Sequence, residues 1–245
     1  MSYSYEASPM KTLIIIPAFN EAENIKRVVD NLIENYPQYD YVVINDCSKD
    51  STEEILKANK YNYITLPVNL GIGGGVQAGY MYAVRNSYDI AVQMDGDGQH
   101  NPEYIGRLIQ PIINNELDMA IGSRFIDKQG FQTSFMRRVG INIFKGIIRI
   151  SCGARISDTT SGFRATNSKL NLLFSQEYAH DYPEPEAIVA AKLNGFRVGE
   201  VAVIMNERDG GVSSINTLRA IYYMIKVSLA LIIYRFSISN GGTSE

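Results

Sequence analysis

Four times in the first hundred residues a short apolar run stops at a turn rich in Asn, Asp or Gly and gives way to a helical pattern. The runs are Thr12 to Ile16, Tyr41 to Ile44, Tyr63 to Leu66 and Ile90 to Met94. Between them, Glu21 to Asn35 places Ile25, Val28, Val29, Leu32 and Ile33 at helical spacing, and Asp50 or Ser51 is placed to cap a short helix through Ala58. The glycine-rich stretch from Asn69 to Gly79 leads into a helix toward Arg85. Such alternation leaves a chain few options. Parallel strands need crossover connections, so the pattern predicts an α/β fold with a mostly parallel central sheet flanked by helices.

The pattern continues with a helix from Pro102 to Asn114 and a fifth strand, Met119 to Gly122, ending in Ser123-Arg124. Beyond it the texture changes. An amphipathic stretch, Phe135 to Ile150, precedes a turn-rich Asp158-Thr159-Thr160-Ser161-Gly162, a helix around Pro185 to Leu193 and a last strand, Arg197 to Ile204. Residues 11–215 are expected to form one domain, with 1–10 an extension and 216–245 a C-terminal amphipathic helix and tail. In Thr217 to Phe236, Arg219, Lys226 and Arg235 interrupt the apolar residues, and the uncharged run Val227 to Tyr234 is only eight residues long. A span needs about 20 consecutive apolar residues. The segment therefore reads as an interfacial helix, one packed on a membrane partner, or one packed on the domain itself.

With 23 basic against 26 acidic residues, no strong field points to nucleic acid. Cys47 and Cys152 lie far apart without Cys or His at metal-ligand spacing, which argues against a disulfide framework or zinc site and for a reducing cytoplasm. The N-terminus lacks the basic start and apolar run of a signal peptide.

In an open α/β sheet the ligand crevice lies outside the carboxyl ends of the strands, so Asn20, Asp46, Asp95 and Asp97 are expected to converge there. Asp95-Gly96-Asp97-Gly98-Gln99 puts two carboxylates on a tight turn, a donor set that suits Mg²⁺ or Mn²⁺ shared with substrate phosphate. Gly73, Gly75 and Ala78 satisfy a dinucleotide-binding fingerprint with Asp95 downstream. That fingerprint belongs after the first strand, where this chain reads Pro17-Ala18-Phe19-Asn20.

Six motifs in order make the chain resemble a family-two GT-A glycosyltransferase, closest to the dolichol-phosphate mannose synthase-like branch. They are IPAFNE (Ile16 to Glu21), INDCSKDST (Ile44 to Thr52), NLGIGGGVQAG (Asn69 to Gly79), DGDGQHNPE (Asp95 to Glu103), GSRF (Gly122 to Phe125) and DTTSGFR (Asp158 to Arg164). The resemblance implies a GT-A Rossmann-like fold and a nucleotide diphosphate sugar as donor. It implies a base and ribose site at Pro17, Ala18, Asn20, Glu21 and Asp46, with Asn69, Gly73 and Ser213 as further substrate positions. The metal motif would be Asp95 and Asp97, with Gln99 a further ligand, and Arg124 and Arg208 would face the phosphates as catalytic positions beside Asp97. The chain departs from the branch at Gly211-Val212-Ser213-Ser214, which lacks the usual lysine, and it has no pair of hydrophobic hairpins. A small membrane-protein partner or direct contact with a membrane surface could replace the hairpins, and a homo-oligomer is compatible with the sequence.

Together with the resemblance, which implies inversion, these features lead to the expectation of a metal-dependent transfer of sugar to a polyprenyl phosphate at the cytoplasmic face of the cell membrane, by a peripheral protein. A second reading elongates a cell-wall polysaccharide on a sugar hydroxyl, for which Asp158, Asp181, Glu184 and Glu186 are the available proton acceptors. A sugar nucleotidyltransferase and a non-catalytic nucleotide-sugar binding subunit are the further alternatives.

Overall fold

The computed structural model describes residues 10–127, 135–180 and 183–206, with the side chains of 135–139 outside that description. In chain order the elements are β1 (Thr12–Ala18), α1 (Ile25–Asn35), β2 (Asp40–Asn45), α2 (Thr52–Ala58), β3 (Tyr63–Thr65), α3 (Gly71–Arg85) and β4 (Ile90–Gln93). A 3₁₀ turn, Pro102–Tyr104, leads into α4 (Ile105–Ile113), followed by β5 (Met119–Ser123), α5 (Phe135–Cys152), β6 (Arg164–Asn167), α6 (Ser168–Gln176), α7 (Pro183–Leu193) and β7 (Val198–Ala202).

The strands form one seven-stranded sheet in the order β3-β2-β1-β4-β6-β5-β7. All pairings are parallel except those of β6, which runs antiparallel to both β4 and β5. Because side chains alternate across a strand, β1 feeds two cores. Leu13 and Ile15 join Val42, Ile44, Val76, Tyr80 and Phe174 on the face covered by α3, α6 and α7. Ile14 and Ile16 join Val28, Val29, Leu32, Val43, Leu108 and Ile109 on the face covered by α1 and α4. Burial on both faces explains the unbroken apolar run that opened the sequence.

Two boundaries differ from expectation. β1 continues through Pro17 to Ala18. Proline is tolerated there because the β1–β4 ladder ends at Ile15 and Gln93, so the missing N–H deprives no partner. The glycine run belongs to α3 itself, which begins at Gly71. The second half also contains an element pair that periodicity did not announce: β6 and the helix α6 that follows it directly. The Asn167 side chain caps α6 by accepting from the Leu170 N–H at 3.0 Å, and Leu170 and Phe174 are its buried anchors.

Candidate active site

The chain proceeds from β1 to one side of the sheet and returns to place β4 on the other, so the topological switch point lies between these neighbours. The turn after β1 carries Asn20 and Glu21, the turn after β2 carries Asp46, and the turn after β4 carries Asp95 and Asp97. All three strands run parallel and end at the same edge, so the fold gathers these residues as expected.

The loops after β1 and β2 are laced together. Asn20, in the left-handed region at φ 56°, accepts from the Lys49 N–H at 2.8 Å, and its own N–H donates to Ser48 Oγ at 3.0 Å. The Glu21 N–H donates to Thr52 Oγ1 at 2.9 Å, and the Ala22 N–H to Asp50 Oδ2 at 3.1 Å. Asp50 is opposed by its partial burial, yet hydrogen bonds from Thr52 and Ala22 hold its carboxyl below the ordinary range. Asp46 is buried and its Oδ1 accepts from the Leu70 N–H at 2.7 Å, while Asn69 Nδ2 donates to the Asp46 carbonyl at 3.0 Å. Asn69 thus holds the Asp46 turn. Pro17 and Ala18 line the floor as strand residues, with the Ala18 carbonyl accepting from the Asp46 N–H and the Pro17 carbonyl from the Gly96 N–H.

The acidic turn is equally constrained. Asp97 Oδ1 accepts from the Gln99 N–H at 3.0 Å, and the Gln99 carbonyl accepts from the Asn206 N–H at 2.9 Å. His100, stacked on Phe163 at 5.0 Å, accepts from the Asp95 N–H at Nδ1 over 3.0 Å. That bond puts the ring proton of the neutral imidazole on Nε2, 3.8 Å from Asp95 Oδ2. Gln93 Nε2 faces Asp95 Oδ1 at 3.4 Å. A Cβ at Gly162 would lie 3.1 Å from both Asp95 Oδ2 and Gln93 Nε2, so only glycine lets the 158–163 loop close over this carboxylate without a shift.

Among the described residues no three His, Cys, Asp or Glu side chains enclose a metal. Asp95, one third exposed, and the buried Asp97 instead place hard oxygens on the turn after β4. This donor set fits Mg²⁺ or Mn²⁺, which take one or two carboxylates and complete their shell with water and substrate phosphate.

Two candidates sit differently from what their motifs suggested. Arg124 is buried, and its Nε and Nη2 bind the two oxygens of the fully buried Asp158 at 2.7 and 2.8 Å. Its fork serves this pair, and Asp158, which also accepts from the Arg124 N–H, is committed to it. Gly73 packs on α7's approach: its N–H donates to the His180 carbonyl at 3.1 Å, and a Cβ would meet the Ala179 carbonyl at 1.9 Å. Packing accounts for this glycine. Glu184 and Glu186 lie in the first turn of α7, Glu186 lining a groove of about 340 Å³ with Gln77, Phe174, Tyr178 and His180. Asp181, Arg208, Ser213 and the segment 216–245 lie outside the described residues, which end at Asn206 against the acidic turn. Gln93, His100, Gly162 and Arg164 escaped sequence reasoning. His100 falls within the motif DGDGQHNPE, and Gly162 and Arg164 within DTTSGFR, but the motifs gave these three residues no role, and Gln93 lies in none of them.

The order of strands and the edge that carries the acidic pair define a GT-A fold. The same arrangement occurs in glucosyl-3-phosphoglycerate synthase from Mycobacterium tuberculosis, at TM-score 0.70 and 18% identity over 92% of this chain and 80% of that one. Another structure of that enzyme holds Mn²⁺, uridine diphosphate and glucosyl-3-phosphoglycerate, at TM-score 0.68 and 19% identity over 92% and 80% of the two chains. Residues 13–172 match the glycosyl transferase family 2 model, and the chain belongs to that family of glycosyltransferases. It is 35% identical over 210 residues, 78% of this chain and 83% of the relative, to the UDP-N-acetylglucosamine–dolichyl-phosphate N-acetylglucosaminyltransferase of Methanococcus voltae. It is 30% identical over 231 residues, 89% and 86% of the two chains, to the polyprenol monophosphomannose synthase of Mycolicibacterium smegmatis.

Proposed function

We propose that the protein transfers a sugar from a nucleotide diphosphate sugar to a polyprenyl phosphate, with inversion, as a peripheral protein at the inner face of the cell membrane. The observation that carries this reading is the strand-end pair Asp95 and Asp97, set across the switch point from Asn20, Glu21 and Asp46. The relatives named for dolichyl-phosphate and polyprenol acceptors supply the acceptor class.

In this reading the loops after β1 and β2 hold the base and ribose, and Asp95 and Asp97, with Gln99, hold the divalent ion. A bound Mg²⁺ or Mn²⁺ supplies positive charge to the diphosphate as it departs. The acceptor phosphate oxygen forms the new bond at the anomeric carbon while the bond to the diphosphate oxygen breaks, and the nucleoside diphosphate leaves with that electron pair. The acceptor is anionic at neutral pH, so no proton need be removed from it and alignment supplies much of the rate. This agrees with the commitment of Asp158 to Arg124. Among the described residues no helix is long and apolar enough to cross a membrane. Residues 11–215 carry the chemistry, and 216–245 are assigned to membrane contact.

The test is nucleoside diphosphate release across a panel of nucleotide sugars with Mg²⁺ or Mn²⁺, with and without undecaprenyl phosphate. Release that depends on the lipid phosphate is expected, and Asp97→Ala is expected to abolish it while leaving the thermal midpoint within a few degrees of wild type. Turnover with glycan acceptors alone would move the acceptor to a sugar hydroxyl. Full activity in Asp97→Ala would remove the metal assignment.

A further inference from the structure

Arg164 lies at the start of β6 and is completely buried. Its Nε donates to the Ser161 carbonyl at 2.7 Å, but neither terminal nitrogen has a hydrogen-bond partner. A buried guanidinium in this state carries a large desolvation cost, so its position calls for an explanation. Directly opposite in the antiparallel β4–β6 pair stands Gln93, 1% exposed, whose Oε1 is likewise buried and without a partner. Opposed residues of such a pair project to the same face, with Cβ atoms about 5 Å apart. Unmet donors therefore stand beside an unmet acceptor, close enough for one ordered water or a small rotamer change to join them.

The other end of the Gln93 amide faces Asp95. An amide has a donor end and an acceptor end, and rotating it by half a turn exchanges them. Nε2 lies 3.4 Å from Asp95 Oδ1, which leaves the unpartnered Oε1 as the end that Arg164 can hold. Without that cation nothing opposes the flipped amide, which would turn an oxygen on the carboxylate and push it away. We propose that Arg164 is a positioning residue for Asp95, acting through the orientation of the Gln93 amide. Gly162 keeps the space above the pair open, and the buried Tyr80, on α3, and Tyr178, in the segment after α6, flank Arg164.

This inference rests on the assignment of Asp95 to the donor's divalent ion, and the experiment separates the two. Mn²⁺ is titrated into the full-length protein, alone and with uridine diphosphate, by electron paramagnetic resonance of the free ion. Wild type is compared with Gln93→Met, Arg164→Met, Arg164→Lys and the double Met variant, and thermal midpoints are measured alongside. Each single Met variant is expected to weaken Mn²⁺ binding about tenfold, in line with loss of an outer-shell partner. The double variant is expected to be no weaker than either single, because the two residues act in series. Arg164→Lys is expected to recover part of the affinity. Unchanged affinity in Gln93→Met, or losses that multiply to about a hundredfold in the double variant, would overturn the proposal. So would lowered midpoints with wild-type Mn²⁺ affinity in the folded protein, the signature of a purely structural role. Should Arg164→Met fail to fold, Gln93→Met and Arg164→Lys carry the test. No Mn²⁺ binding by wild type would remove the metal assignment and the proposal with it.

Discussion

Two glycines separate the demands of the site from those of the fold. Gly162 touches the candidate metal carboxylate: the Cβ of Gly162→Ala would press on Asp95 Oδ2 and Gln93 Nε2 at 3.1 Å, a distance those side chains relieve by moving. Gly162→Ala is accordingly expected to lower kcat by about tenfold, through misplacement of a reacting group, while lowering the thermal midpoint by only a few degrees. Steady-state kinetics and a melting curve on the same preparation check both parts. Gly73 presents the opposite case. Its missing side chain faces backbone at 1.9 Å, which has no room to yield, so Gly73→Ala is expected to cost on the order of 2 kcal/mol through overpacking. A denaturation curve of unchanged midpoint in Gly73→Ala would return this residue to the list of donor contacts.

At the head of the parallel β5–β7 ladder stands an ion pair. The Arg197 N–H and guanidinium bind Asp118 at 2.8 to 3.0 Å, and Nη1 and Nη2 reach Asn115. The hydrogen bonds from Arg197, against some burial, hold the Asp118 carboxyl below its ordinary value of 3.8. A carboxylate with a depressed folded value contributes stability that is fully present above the unfolded value and is lost as pH falls through the folded one. Asp118→Asn should therefore lower the thermal midpoint at neutral pH, and the difference from wild type should close as the pH is taken below about 3.8. A gap that persists in acid would assign the effect to packing. The elements also differ in how far they could be read beforehand. β1, β2 and β4 are apolar on both faces and announce themselves as continuous runs. β6 reads Arg-Ala-Thr-Asn, because its partners on one face are a polar chamber, and so its pattern resembles a turn. α6 was not read from the sequence, and its Asn167 cap and buried anchors Leu170 and Phe174 became evident only in the fold. The convergence of Asn20, Asp46, Asp95 and Asp97 followed from strand ends and motif order, whereas the pairing of Gln93 with Arg164 and the stacking of His100 on Phe163 depend on how β4 and β6 come together, which no local pattern encodes.

At the scale of the whole molecule, the chemistry and the membrane contact are assigned to different stretches of chain. A version ending at Ile215 is expected to keep Mn²⁺-dependent nucleotide binding and to lose most of its sedimentation with anionic liposomes. Undiminished liposome binding with a lowered thermal midpoint would place the last thirty residues in the core. The insertion of β6 between β4 and β5 has a further consequence, this time for the nascent chain. As the polypeptide leaves the ribosome, β4 emerges more than seventy residues before the strand that will lie against its free side, and β5 some forty before. Until β6 arrives, both present unpaired edges of the kind that invite pairing with other chains. The same late segment brings Gly162 to the carboxylate of Asp95 and Arg164 to the place opposite Gln93. Synthesis thus completes the acidic turn early but leaves its supports to the last third of the chain, so a truncated or stalled product would carry the carboxylate pair without the neighbours that orient it.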